Sequence, residues 1–253
     1  MGEHFILIGL FNVILGALLG AIGGVLGIGG GVIAIPALVY LYGMNQHLAQ
    51  GTALVMIAPN VLLGFIRYRQ RNDIDLRSCA VLGGLAIVTT YVAARYATSI
   101  DAKQLQTAFA IFLFLLVVYF IWQIRFKETA SKSQAIIDSK FLPAVSVVSG
   151  IMSGVFTIGG GLIAVPAFVT LFGKTQTQAQ GMGLALVIPG AIVALLAYAQ
   201  AGHVDWSVGI PLAIGGIMSV SWGVALAHKF SPQRLRIMFC AVLLGTAMSM
   251  LMH

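Results

Sequence analysis

The stretch GIGGGVIAIP, Gly27–Pro36, returns 130 residues later as TIGGGLIAVP, Thr157–Pro166. Aligning residues 20–76 with 150–206 without a gap makes 23 of the 57 positions identical. They include Gly29/Gly159, Gly30/Gly160, Gly31/Gly161, Pro36/Pro166, Gln50/Gln180, Gly51/Gly181, Pro59/Pro189, Tyr68/Tyr198 and Asp75/Asp205. The chain is therefore written twice. The expected organisation is a first unit at 1–125, a polar basic linker at 126–139 and a second unit at 140–253.

Each unit is too apolar to face water. Of the 253 residues 59% are hydrophobic and 8% charged, against roughly 25% charged in a soluble domain. Runs near the ~20 residues needed to cross a bilayer are Phe5–Leu26, Leu48–Ile66, Cys79–Ala94, Leu105–Ile124, Ala179–Tyr198, Val208–Ala227 and Ile237–Leu251. The expected fold class is an all-α polytopic membrane protein. The first run lacks a basic segment before it and reads as a retained span. Cys79 and Cys240 stand singly in apolar surroundings and read as small buried residues. The net charge of +7 lies between apolar runs, as orientation signals do, so no nucleic-acid partner is expected.

One difference between the copies carries more than the identities. RYRQR, Arg67–Arg71, aligns with AYAQA, Ala197–Ala201. Lys and Arg mark cytoplasmic loops, so the same loop is expected inside in one copy and outside in the other. The basic linker and Lys229, Arg234 and Arg236 agree with that assignment, whereas Arg95 and Lys103 fall in a loop assigned to the outside. Two repeats of inverted topology need an odd number of crossings each. Five segments per unit are expected, the first two broken or re-entrant at the glycine stretch, because Val32–Tyr42 is about 16 Å of helix, too short to span.

Non-helical backbone survives in a bilayer only where protein buries it or a wet cavity faces it. Gly29, Gly30 and Gly31, with Gly159, Gly160 and Gly161, are thus expected inside the protein. A helix starting after them presents free amide N–H groups and a positive dipole end, which suits an anion. Gly16, Gly20 and Gly24 keep a four-residue spacing and read as a packing face, where alanine at Gly20 is expected to be mild. Gly51 and Gly181 follow the repeated glutamines. No G-x-G-x-x-G lies within Gly27–Gly31, and no cofactor is expected.

Gln50, Thr52, Asn60 and Gln180 are polar residues inside apolar runs, so each is expected to face the interior. The retained pair Gln50/Gln180 is expected to touch one substrate. The repeated prolines are expected to kink helices. Thr157 stands where the first copy has Gly27, which makes the two half-sites chemically unequal. All seven acidic residues lie at segment ends or in loops. His47 and His203 read as ordinary solvated loop histidines. With no interior acid, base or metal cluster, hydrolysis or phosphoryl transfer lacks its groups. No metal is expected, and a non-transporting assembly protein would not need kinked repeats with matched glutamines.

The duplicated GxGGGxxxxP, the pair AQGTAL (Ala49–Leu54) and AQGMGL (Ala179–Leu184), and the endings YRQRNDID and YAQAGHVD resemble the sulfite exporter TauE/SafE family of membrane transporters. The resemblance implies a secondary transporter of a small sulfur-containing anion (sulfite, thiosulfate or an organosulfonate), often exported across a bacterial inner membrane. The substrate site then consists of Gly29, Gly30, Gly31, Gln50, Gly51, Thr52, Asn60, Thr157, Gly159, Gly160, Gly161, Gln180 and Gly181. The partners implied are the anion and membrane lipid; the oligomeric state is left open.

Overall fold

The computed structural model describes residues 2–126, 141–157 and 160–251, which fold into helices without a strand. The first half holds α1 (Gly2–Leu26), α2 (Gly31–Tyr42), α3 (Gln46–Arg69), α4 (Leu76–Ala97) and α5 (Ala102–Phe126). The second holds α6 (Leu142–Phe156), α7 (Gly161–Thr170), α8 (Gln176–Gln200), α9 (Trp206–Ala227) and α10 (Pro232–Leu251). The linker beyond Phe126 and the site candidate Gly159 lie outside the described residues.

The breaks between these helices follow local chemistry. Asn45 caps α3 by accepting from the Leu48 amide at 3.0 Å. Thr175 and Gln178 form a capping box at α8, and Asp205 accepts from Ser207 and Val208 at the start of α9. These side chains satisfy amides that the first turn of a helix leaves unpaired. Gly43 closes α2 at φ 63°, a left-handed conformation that costs glycine nothing.

Six helices are long and apolar enough to cross a membrane: Leu7–Leu26, Gln46–Arg69, Cys79–Ala97, Ala102–Tyr119, Gln176–Gln200 and Trp206–Ala227. The expected run Ile237–Leu251 lies in α10, which is not among the six; Arg234 and Arg236 occupy its first turns. The spans turn large apolar side chains outward, Met218 and Trp222 among them, which suits lipid. No Asp, Glu, Lys or Arg is buried among the described residues.

Helix pairing is reciprocal between the halves. α1 packs on α9 and α6 on α4, while α3 crosses α8 and α5 lies on α10. The α1–α9 contact is glycine against backbone. A Cβ added at Gly16 would stand 2.1 Å from the Leu212 carbonyl oxygen, and one at Gly20 would stand 2.6 Å from Gly216 Cα. On the α6–α4 side, Gly154 faces the Thr90 carbonyl oxygen in the same way. The packing face is thus where the spacing places it, but the mildness expected of alanine at Gly20 is corrected. Ser219 Oγ is also 2.6 Å from that added methyl group, and backbone cannot rotate away, so about 1–3 kcal/mol of overpacking follows.

α3 and α8 run antiparallel. Gln50 meets Tyr198 near one end of the pair, and Tyr68 meets Gln180 near the other. The two tyrosine-to-aspartate loops accordingly lie at opposite ends of the bundle. His203 packs by the first turns of α3, whereas Asn72 sits beyond its last turn with Thr177 and His228.

Candidate functional site

Each half begins with a helical hairpin whose tip is glycine. α1 ends at Leu26, and Gly27, Gly29 and Gly30 all have positive φ (68°, 71° and 87°). Side chains at Gly29 and Gly30 would meet Val61 Cγ1 at 2.4 Å and the Leu19 carbonyl oxygen at 2.8 Å. Val61 and neighbouring Met56 lie midway along α3, so α2 starts at mid-depth. It then runs back to the end of the bundle where it began, where the Tyr42 hydroxyl donates to Asn12 Oδ1.

The second hairpin repeats the plan with different details. α6 ends at Phe156, and Thr157 holds φ 58°, the conformation that Gly27 adopts in the first copy. Thr157 is the one non-glycine residue with positive φ among those described. Its hydroxyl donates to the Phe156 carbonyl at 2.7 Å. A Cβ at Gly160 would collide with Ser149, and one at Gly161 would lie 3.6 Å from Val187 Cγ2, midway along α8. The same atom would stand 3.7 Å from the Gly27 carbonyl oxygen. The two breaks therefore meet inside the protein. Neither α2 nor α7 has a side-chain cap on its first amides.

Asn60 stands at the same depth on α3 but turns to α9, where a Cβ at Gly216 would lie 2.4 Å from its Nδ2. It follows Pro59 on α3, is 1% exposed, and neither its Oδ1 nor its Nδ2 has a partner. Pro59 cannot donate to the carbonyl four residues back, so the α3 ladder is already open there. A buried amide with nothing to bond costs about 1–3 kcal/mol.

The two glutamines differ in how they meet that layer: Gln180 packs against Gly27, where an added Cβ would stand 2.7 Å from its Cβ and Cγ. Tyr68 donates to Gln180 Oε1 at 3.1 Å and to the Gly24 carbonyl at 2.9 Å. Gln180 Nε2 donates to the Leu26 carbonyl at 3.0 Å, so this pair clamps the end of α1. Tyr198 donates to Gln50 Oε1 at 2.6 Å, and Gln50 Nε2 is buried without a partner. Positions 50 and 68 on α3 are eighteen residues apart, about 27 Å of helix axis. The structure thus places one Gln–Tyr pair on each side of the glycine layer.

Gly51 and Thr52 also have local partners. A side chain at Gly51 would strike the His203 carbonyl oxygen at 1.8 Å, and Thr52 Oγ1 accepts from the Asp205 amide at 2.9 Å. At the opposite end, Gly181 makes room for Ile74 and Tyr68. The site residues that the two breaks bring together are therefore Gly29, Gly30, Gly31, Gly160 and Gly161, with Gln180 against Gly27, whereas Asn60 faces Gly216 of α9. Tyr68 and Tyr198 were not assigned a role from the sequence, although their identity in both copies was the available signal. His47 corrects another expectation: it is a buried residue of α3, not a solvated loop residue.

An all-helical, multi-pass bundle with buried glycine breaks and a neutral polar interior is the framework of a membrane transporter. The sulfite exporter TauE/SafE family matches residues 12–250, and the chain belongs to that family. It is 26% identical over 224 residues to a "Probable membrane transporter protein" of Xylella fastidiosa strain 9a5c, covering 87% of this chain and 85% of that one. "Probable membrane transporter protein MJ0441" of Methanocaldococcus jannaschii is 24% identical over 95% of this chain and 94% of its own. "Probable membrane transporter protein YunE" of Bacillus subtilis is 23% identical, covering 92% and 93%. No solved structure matches the chain.

Proposed function

We propose that the protein is a secondary transporter of a small sulfur oxyanion in the bacterial inner membrane. The two units act as inverted repeats, and the anion is held at mid-depth between the N-termini of α2 and α7. The observation that carries this reading is the meeting of two buried, glycine-lined helix starts in an interior where, among the described residues, no Asp, Glu, Lys or Arg is buried. Helix N-termini offer amide N–H groups and positive dipole ends, and broken helices at the midplane are how inverted-repeat transporters build their sites. An anion held by amides alone has no fixed counter-ion to retain it.

The Gln–Tyr pairs serve as gates on the two sides of that site. Tyr68 and Gln180 close the cytoplasmic side, toward Arg67, Arg69 and Arg71, and Tyr198 with Gln50 closes the outside. Both pairs are hydrogen-bonded, and Gly29, Gly30, Gly31, Gly160 and Gly161 between them are buried. Alternate opening of the two pairs moves the anion across. Export needs no further coupling, because an anion leaving a negative-inside cell gains about 2.3 kcal/mol per charge per 100 mV.

Purified protein in liposomes, assayed with radiolabelled sulfite, thiosulfate, an organosulfonate and sodium at a set membrane potential, tests the proposal. Oxyanion flux that follows the potential, with no sodium flux, is the expected outcome. Absence of flux for every oxyanion, or equal flux of sodium, would remove it.

A further inference from the structure

His47 and His203 have no part in the mid-depth site, yet the fold brings them together at the outer end. His47 is in the first turn of α3 and is 7% exposed. Its Nε2 is 2.8 Å from the Ile100 carbonyl oxygen, so in the neutral ring Nε2 carries the hydrogen and Nδ1 is the acceptor. That Nδ1 is buried and has no partner. His203, from the loop that packs on Gly51, stacks on this ring with centroids 5.0 Å apart and planes 19° from parallel.

The same end of α3 gathers further unpartnered atoms. Gln46 is 1% exposed, and neither its Oε1 nor its Nε2 has a hydrogen bond. Gln50, one turn later, is fully buried and leaves its Nε2 unpaired. Such clustering is costly in an apolar protein unless the atoms meet a polar ligand. The unpaired donors are the Gln46 and Gln50 amide nitrogens, joined by His47 Nδ1 when protonated, against one remaining acceptor, Gln46 Oε1. That set favours a negatively charged, acceptor-rich ligand.

We propose that Gln46, His47, Gln50 and His203 form an outer oxyanion site that fills together with a proton. The proposal rests on the transporter reading for its ligand class, but the site is separate from the mid-depth one. As the anion enters, the histidine pair takes one proton from the acid form of the bulk buffer, whose conjugate base stays in solution, and the imidazolium and the two amides hold the anion. One proton serves the pair, since two charged rings at this separation repel each other. No covalent bond changes.

Imidazole is the side chain that ordinarily changes charge between about pH 5 and 8, and the hydroxyl and carboxyl groups around the two rings are engaged. Tyr198 lies 6.5 Å from both rings, centroid to centroid, and donates its hydroxyl to Gln50. Asp205 accepts from Ser207 and Val208, and Asp101 accepts from Lys103 and Gln104, so both carboxyl groups are engaged at helix starts. Lys103 is the cation next to Asp101 and is exposed. Burial, and then neighbouring His47, hold His203 below the ordinary histidine range. His203 is therefore uncharged at neutral pH. A bound anion favours the charged ring and raises the pH at which it titrates.

The test uses full-length protein with isotopically labelled histidines in nanodiscs, titrated from about pH 8 to about pH 5 with and without thiosulfate. Thiosulfate stays a dianion over that range, so the ligand itself does not titrate. Flux of the same anion into proteoliposomes is measured in parallel. Thiosulfate is expected to move the histidine titration to higher pH and to bind about tenfold more tightly at about pH 5.5 than at about pH 7.5. His203→Asn and His47→Gln should each flatten that dependence. Histidines unmoved by thiosulfate, or unchanged pH dependence in both variants, would overturn the site. Flux with silent histidines defeats this proposal and leaves the transporter reading intact; a histidine response without flux does the reverse.

Discussion

Gly30→Ala is expected to cut oxyanion flux by about ten- to a hundredfold, the scale set by displacing a positioning element by about 1 Å. Gly30 has φ 87°, which costs an L-residue about 1–2 kcal/mol, and its added methyl would stand 2.8 Å from the Leu19 carbonyl oxygen. Only movement of α1 or of the α2 N-terminus relieves that contact. Gly43→Ala is the control. Its φ of 63° brings a similar strain, but nothing lies within 4 Å of the new Cβ. Flux normalised to inserted protein, with thermal unfolding in detergent, separates the two. Equal losses in both variants would mean that the tip of the hairpin has no special part in transport.

The second expected result concerns the two glutamines. Gln180→Leu should destabilise the protein by about 2–3 kcal/mol, since it takes the donor from the Leu26 carbonyl and leaves a gap against Gly27. It also removes one acceptor near the Tyr68 hydroxyl, which keeps Gly24. Gln50→Leu should cost about 1–2 kcal/mol, because it leaves the buried Tyr198 hydroxyl without its acceptor but also removes a buried amide nitrogen that has no partner. The physical origin of the asymmetry lies in the second hairpin. There the Thr157 hydroxyl donates to the Phe156 carbonyl, the counterpart of the Leu26 carbonyl that Gln180 engages. The double variant should show the sum of the two effects within about 0.5 kcal/mol, as expected of sites too far apart to couple. Equal single costs, or a strongly non-additive double variant by thermal unfolding, would contradict the assignment of these residues to opposite gates.

The sequence by itself determined the class of protein and much of its plan. Apolar runs of spanning length leave no alternative to membrane helices, because backbone polar groups in lipid must be satisfied within the segment. The 130-residue offset made the duplication visible, and three adjacent glycines in each copy located the two breaks. Those signals are local, which is why they can be read without coordinates. The tertiary structure decided what depends on register between distant helices. Gln50 and Gln180 look equivalent in the sequence, yet antiparallel crossing of α3 and α8 sends them to opposite ends. His47 looks like a loop residue until His203, 156 residues later, stacks on it. Gly20 looks like a lenient packing position until the α9 backbone is found against it. In each case the sequence shows which residue is present, and only the approach of a second element shows what that residue must accommodate.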